Sequence, residues 1–67
     1  MKQRNTIRVE RAIMHITQAE LAERIGVTPQ CIHSIEVGKV DPKVRTAMRI
    51  SRYFGKKVSE VFTVILL

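Results

Sequence analysis

The stretch that decides the fold is Thr17-Gln18-Ala19-Glu20-Leu21-Ala22-Glu23-Arg24-Ile25-Gly26-Val27-Thr28-Pro29-Gln30-Cys31-Ile32-His33-Ser34-Ile35-Glu36-Val37. It opens on a capping box, in which the Thr17 hydroxyl and the Glu20 carboxylate satisfy each other's orphan amides. The helix so started turns Leu21, Ala22 and Ile25 inward, and Gly26 stops it where a left-handed residue is needed. Thr28 then serves as the N-cap of a second helix, with Pro29 at its first position, where no amide is missed. Ala22 is small where the two helices cross closely. Leu21, Ile25, Val27, Ile32 and Ile35 fill the wedge between them.

That order of apolar, small, apolar, glycine and again apolar positions is the one a helix-turn-helix requires, and every position of it is filled. On a helical wheel drawn from Pro29, the residues Cys31, Ile32 and Ile35 fall on one side and pack on the preceding helix. Pro29, Gln30, His33 and Ser34 fall on the other side, free to face a nucleic-acid groove. Gln30 carries the donor–acceptor pair that holds adenine N6 and N7 together. Ser34 bonds either kind of base edge, and Pro29 offers an apolar surface to a thymine methyl. His33 is read equally well as a base contact and as an exposed polar residue.

Outside this stretch the apolar period stays near 3.6, and only the last few residues suggest a strand. Ile7, Arg11 and Met14 share one face of a first helix that His15 ends. Asp41-Pro42 repeats the helix-start signal and opens a fourth helix carrying Val44, Ala47, Met48, Ser51 and Phe54 on one face, with Gly55 as its stop. A final turn from Val58 to Phe62 leads into Thr63-Val64-Ile65-Leu66-Leu67. The expectation is an all-α domain of about five short helices with a short C-terminal β-strand, one domain over residues 1–67 with the helix-turn-helix at about 17–37.

The chain has 67 residues, with 12 Lys and Arg against 6 Asp and Glu, and a net charge of +6. That length holds one domain with a small core. The charge excess points to a polyanion, although it also serves solubility. Cys31 is the single cysteine, so no disulfide within the chain staples the fold, and its wheel position favours a structural thiol over a redox switch. His15, Cys31 and His33 lack metal-ligand spacing, and no metal or cofactor is expected. No nucleophile–base set, carboxylate pair or phosphate loop is present, so an enzyme is not expected. No small-molecule site is evident, and no apolar run approaches a membrane span or a leader peptide. A cytoplasmic, nucleoid-associated protein of bacterial or phage type is the expected setting. Arg45, Arg49 and Arg52 line one flank of the fourth helix, as suits a phosphate track or a solvated face equally.

Thr17-Gln18-Ala19-Glu20-Leu21-Ala22, Gly26-Val27-Thr28, Ile32-His33-Ser34-Ile35-Glu36, Gly38-Lys39 and Pro42 together resemble the phage repressor–Cro, or Xre-like, helix-turn-helix family. The resemblance covers roughly residues 6–62. It implies a compact five-helix domain whose third helix enters the DNA major groove, and small stand-alone regulators acting as dimeric repressors on palindromic operators. By family position, Gln18 and Thr28 resemble phosphate contacts at helix N-termini, where backbone amides also point at anions. Lys39 and Lys43 look like further phosphate clamps. Arg11 and Glu36 resemble the family's partly buried pair tying helix one to the recognition helix. The chain departs from the pattern in three places. Its recognition helix lacks Arg and Lys, Pro29 stands where a polar base reader is usual, and Lys57 stands where a Ser or Thr cap is usual.

The tail adds an expectation of its own. Phe62, Val64, Ile65, Leu66 and Leu67 crowd the C-terminus without a charge, and Val64 and Ile65 are β-branched. An apolar strand needs a partner, either the same strand of a second subunit across a two-fold axis or the first residues of the chain. Val9 and Ile13, on the side of helix one away from Ile7 and Met14, offer it an apolar seat. Two other functions stay open: a DNA-binding antitoxin or immunity-type regulator answering to a protein partner, and a protein-interaction module whose basic face binds an acidic protein.

Overall fold

A computed structural model describes residues 2–65 of the chain, and side chains over 4–63. In chain order the elements are β1 (Lys2–Asn5), α1 (Ile7–Met14), α2 (Gln18–Ile25), α3 (Pro29–Glu36), α4 (Val44–Tyr53), α5 (Val58–Val61) and β2 (Phe62–Ile65). Each local signal of the central stretch is met. Thr17 Oγ1 accepts from Glu20 N–H and Glu20 Oε1 accepts from Thr17 N–H, both at 3.0 Å. Gly26 closes α2 at φ +89°, and Thr28 Oγ1 accepts from Cys31 N–H at 3.1 Å. His15 ends α1 in the left-handed region at φ +57°, which a histidine tolerates better than a β-branched residue would.

Ile7, Leu21, Ala22, Ile25, Ile32, Ile35, Ile50 and Val61 form one buried cluster. Ile16, Val27, Cys31, Tyr53, Phe54 and Phe62 close its edges. The cluster draws on every helix, and α2 packs on α3 and α4 while α4 packs on α5.

Several expectations need correction. Asp41-Pro42 does not start α4, which begins at Val44 after an extended Lys43 N-cap at ψ 151°. The amides of Lys39 and Val40 first close the end of α3 on the Ser34 carbonyl, and the residues after them form the crossing to α4. The inward stripe of α4 is Ala47, Ile50, Ser51 and Phe54, whereas Val44 and Met48 are 78% and 49% exposed. Met14 is exposed at 41%, and the inward face of α1 is Ile7, Glu10 and Arg11. Phe62 belongs to β2 rather than to the last helical turn.

The strand β1 forms over the first residues, one of the two partners expected for the tail, although their own pattern does not suggest a strand. It pairs antiparallel with β2 in the register Asn5↔Phe62 through Lys2↔Ile65. The tail thus takes the second of its two expected partners, the first residues of its own chain. Leu66 and Leu67 lie outside the described residues, as do the side chains of Val64 and Ile65. Asn5 ties the sheet to the helices, donating from Nδ2 to Ile35 O at 2.9 Å and accepting the Ile7 amide at 3.2 Å.

Arg11 and Glu36 bridge α1 to α3. Arg11 Nε and Nη2 donate to the two Glu36 carboxylate oxygens at 3.0 and 2.8 Å, and Nη1 donates to Ile16 O at 3.1 Å. The side chains are only 16% and 8% exposed. The hydrogen bond to Glu36 raises the Arg11 pKa further, burial opposing it and the Glu36 charge adding to it. A raised folded pKa means that the stabilisation is complete below the unfolded value and is lost only as pH climbs through the folded one, here in strong alkali. Glu10 is also buried and meets Lys56 Nζ at 3.4 Å. At α5, Glu60 Oε1 accepts the Lys57 amide at 2.8 Å, so the helix start is held from the carboxylate side alone.

Two predictions test these contacts. Glu36→Ala strands a buried guanidinium and should cost about 3–5 kcal/mol, whereas the paired change Arg11→Met with Glu36→Leu should recover most of it. At roughly 4–8 °C per kcal/mol for a chain of this size, thermal melting separates the two variants. Ser51 Oγ is buried without a hydrogen-bond partner among the described residues. Ser51→Ala should therefore leave the melting temperature unchanged or raise it, the removed penalty being of order 1 kcal/mol.

Candidate nucleic-acid interface

The outer face of α3 is built by what holds its inner face. Ile32 and Ile35 are buried at 0% and 1% exposure. Pro29, Gln30 and His33 are exposed on the opposite side, with Ser34 half-buried at its edge. The Ser34 carbonyl accepts from Lys39 and Val40 amides at 2.9 and 3.3 Å, which fixes the turn after the helix. All four residues expected to read bases therefore lie along one eight-residue helix whose ends are both tied.

The residues expected to hold phosphates surround that face. Gln18 opens α2 and its Nε2 lies 3.4 Å from His33 Nδ1, joining the start of α2 to the middle of α3. Where Nδ1 accepts from the amide, the ring proton sits on Nε2 as a donor. Thr28 is exposed, and its hydroxyl retains its own proton to donate after accepting the Cys31 amide. Lys39 and Lys43 are exposed in the segment between α3 and α4, with Lys43 at the N-cap of α4.

A cleft of about 600 Å³ opens beside this face, lined by Asn5, Arg8, Val9, Arg11, Gln18, His33, Glu36 and Val37. Arg8 is the residue that sequence reasoning missed. It sits one turn before Arg11 on α1 and beside Gln18 and His33 in the fold. Its i, i+3 spacing to Arg11 was visible, but only folding brings α1 alongside the start of α2. No helix among the described residues is long and apolar enough to cross a membrane.

A short, exposed helix clamped across a second helix and flanked by cations defines a helix-turn-helix domain. The helix-turn-helix family model matches residues 7–61. The chain is 39% identical over 59 residues to an HTH-type transcriptional regulator of Methanocaldococcus jannaschii, covering 88% of this chain and 89% of that one. It is 42% identical over 60 residues to one from Methanothermobacter thermautotrophicus, covering 88% and 87%. With one from Bacillus subtilis it shares 34% over 59 residues, covering 88% and 89%. The chain belongs to the Xre/Cro-like helix-turn-helix family, a family of regulators rather than of catalysts.

Proposed function

We propose that this chain is a sequence-specific DNA-binding transcriptional regulator, acting as a homodimeric repressor on a palindromic operator. The observation that carries the reading is the outer face of α3, where Gln30 and His33 are exposed polar groups on a helix anchored from behind by Ile32, Ile35 and Glu36. A surplus of six positive charges favours a polyanion of the duplex kind. In this reading Pro29, Gln30, His33 and Ser34 meet base edges, while Gln18, Thr28, Lys39 and Lys43 meet phosphates. Arg8, in the cleft beside Gln18, joins the phosphate set.

Selection from a random duplex pool tests the function, and a palindromic consensus is the expected result. Recovery of no preferred sequence would overturn it. Gln30→Ala should cost about 1–3 kcal/mol at one base position and relax specificity there. Lys43→Ala should weaken all duplexes alike and flatten the salt slope by about one unit.

Dimerisation is the second part of the proposal. Phe62–Ile65 spend one strand edge on β1, so a mate, drawn in by the apolar run Val64, Ile65, Leu66 and Leu67, would add to the outer edge of the sheet. Val9 and Ile13 remain 58% and 65% exposed as an apolar seat. A second apolar face is formed by Val44, Met48 and Val58, of which Met48 and Val58 line one cleft. A two-fold dimer would set the recognition helices about one DNA turn, roughly 34 Å, apart. Sedimentation at micromolar concentration distinguishes the faces. Deleting 63–67 should yield monomers with weaker operator binding while Met48→Glu stays dimeric; the reverse result moves the interface to α4 and α5.

A further inference from the structure

The flank of α4 carries a groove that the DNA reading does not use. One part, of about 540 Å³, is lined by Arg45, Met48, Arg49 and Arg52 among others. The other, of about 520 Å³, shares Arg49 and Arg52 and adds Arg24 and Tyr53. The groove lies at the C-terminal end of α2, away from the contact between Gln18 and His33 at its start. Arg49 Nη1 donates to Ile25 O at 3.4 Å, on the last residue of α2, whereas Gln18, which meets His33, is the first. Along the helix that separation is roughly 10 Å.

The rim is cationic, and among the described residues no carboxylate lines either part of the groove. The ion pairs of Glu36 and Glu10 use Arg11 and Lys56 rather than these arginines. Arg45 and Arg49 stand at i, i+4, and Arg49 and Arg52 at i, i+3, spacings at which like charges destabilise a helix. An anion seated between them would relieve that repulsion. The floor is apolar: Met48 is 49% exposed, and Tyr53 is half-buried with its ring edge-on to Phe54 at 5.8 Å. A phosphate backbone would use the cations and leave this floor uncovered. Carboxylates interleaved with large apolar side chains would use both, through charge-assisted bonds to guanidinium and burial against methionine and tyrosine.

We propose that this groove docks an acidic, apolar-anchored segment of a partner protein while the outer face of α3 remains free for DNA. The probe is a fluorescein-labelled helical peptide of Asp and Glu with Leu and Phe at i, i+3 and i+4 spacing, titrated into the isotopically labelled full chain at physiological salt. Saturable binding is expected, with shifts confined to Arg24, Met48, Arg49, Arg52 and Tyr53, and about tenfold weaker binding of the Asn/Gln version of the peptide. The double variant Arg49→Gln with Arg52→Gln should weaken the peptide about tenfold and a duplex by less than about threefold, since screening shortens the reach of each charge to about 8 Å and both lie further than that along α4 from Lys43. Shifts of these residues by a duplex in place of the peptide would overturn the proposal, as would peptide shifts at Gln30 and His33 or no saturation by about 1 mM. Peptide binding at the groove by a chain that selects no duplex would leave this inference standing and remove only the DNA reading.

Discussion

An eight-residue helix does not hold itself together in water, because nucleation costs more than two turns return. The recognition helix α3 is of that length, and it must also leave one face bare. Everything else in the chain serves to hold it from the other side. Ile32 and Ile35 anchor it in the core, Thr28 caps its start, and Glu36 ties its end to α1 through both carboxylate oxygens. The Asn5 side chain reaches the Ile35 carbonyl from the sheet, so even the terminal strands bear on this helix.

The charge distribution follows from the same arrangement. Two of the six carboxylates lie inward, Glu36 on Arg11 and Glu10 on Lys56, while Glu20, Glu23, Asp41, Glu60 and most cations stay on the outside. A buried pair of this kind contributes little net stability compared with an apolar equivalent, but removing one partner is expensive. Its value here is positional: Arg11 also holds the Ile16 carbonyl, so one guanidinium sets α1, the loop after it and the end of α3 together. The surface left over is basic at both ends of α2. Those ends differ in character, polar beside Gln18 and His33 and apolar-floored beside Arg49 and Tyr53.

What the sequence determined by itself is the helix-turn-helix. Its signals act between residues a few positions apart: Thr17 with Glu20, Thr28 with Cys31, Gly26 with the Ala22 carbonyl. Local hydrogen bonds of this kind depend on spacing alone, so the capped helices and their shared apolar wedge were legible, and with them the outward set Pro29, Gln30 and His33. The tertiary structure alone decided the rest. In α4 the stripes Val44, Ala47, Met48, Ser51, Phe54 and Ala47, Ile50, Ser51, Phe54 have the same period, and only packing against α2 and α5 chose Ile50 over Val44 and Met48. The strand β1 reads as a polar tail, because Lys2-Gln3-Arg4-Asn5 has no apolar alternation, and it becomes a strand only when β2 supplies backbone partners about sixty positions away. Arg8 joins Gln18 and His33 in one cleft for the same reason, since periodicity ranks the faces of one helix but does not say which helix each face will meet.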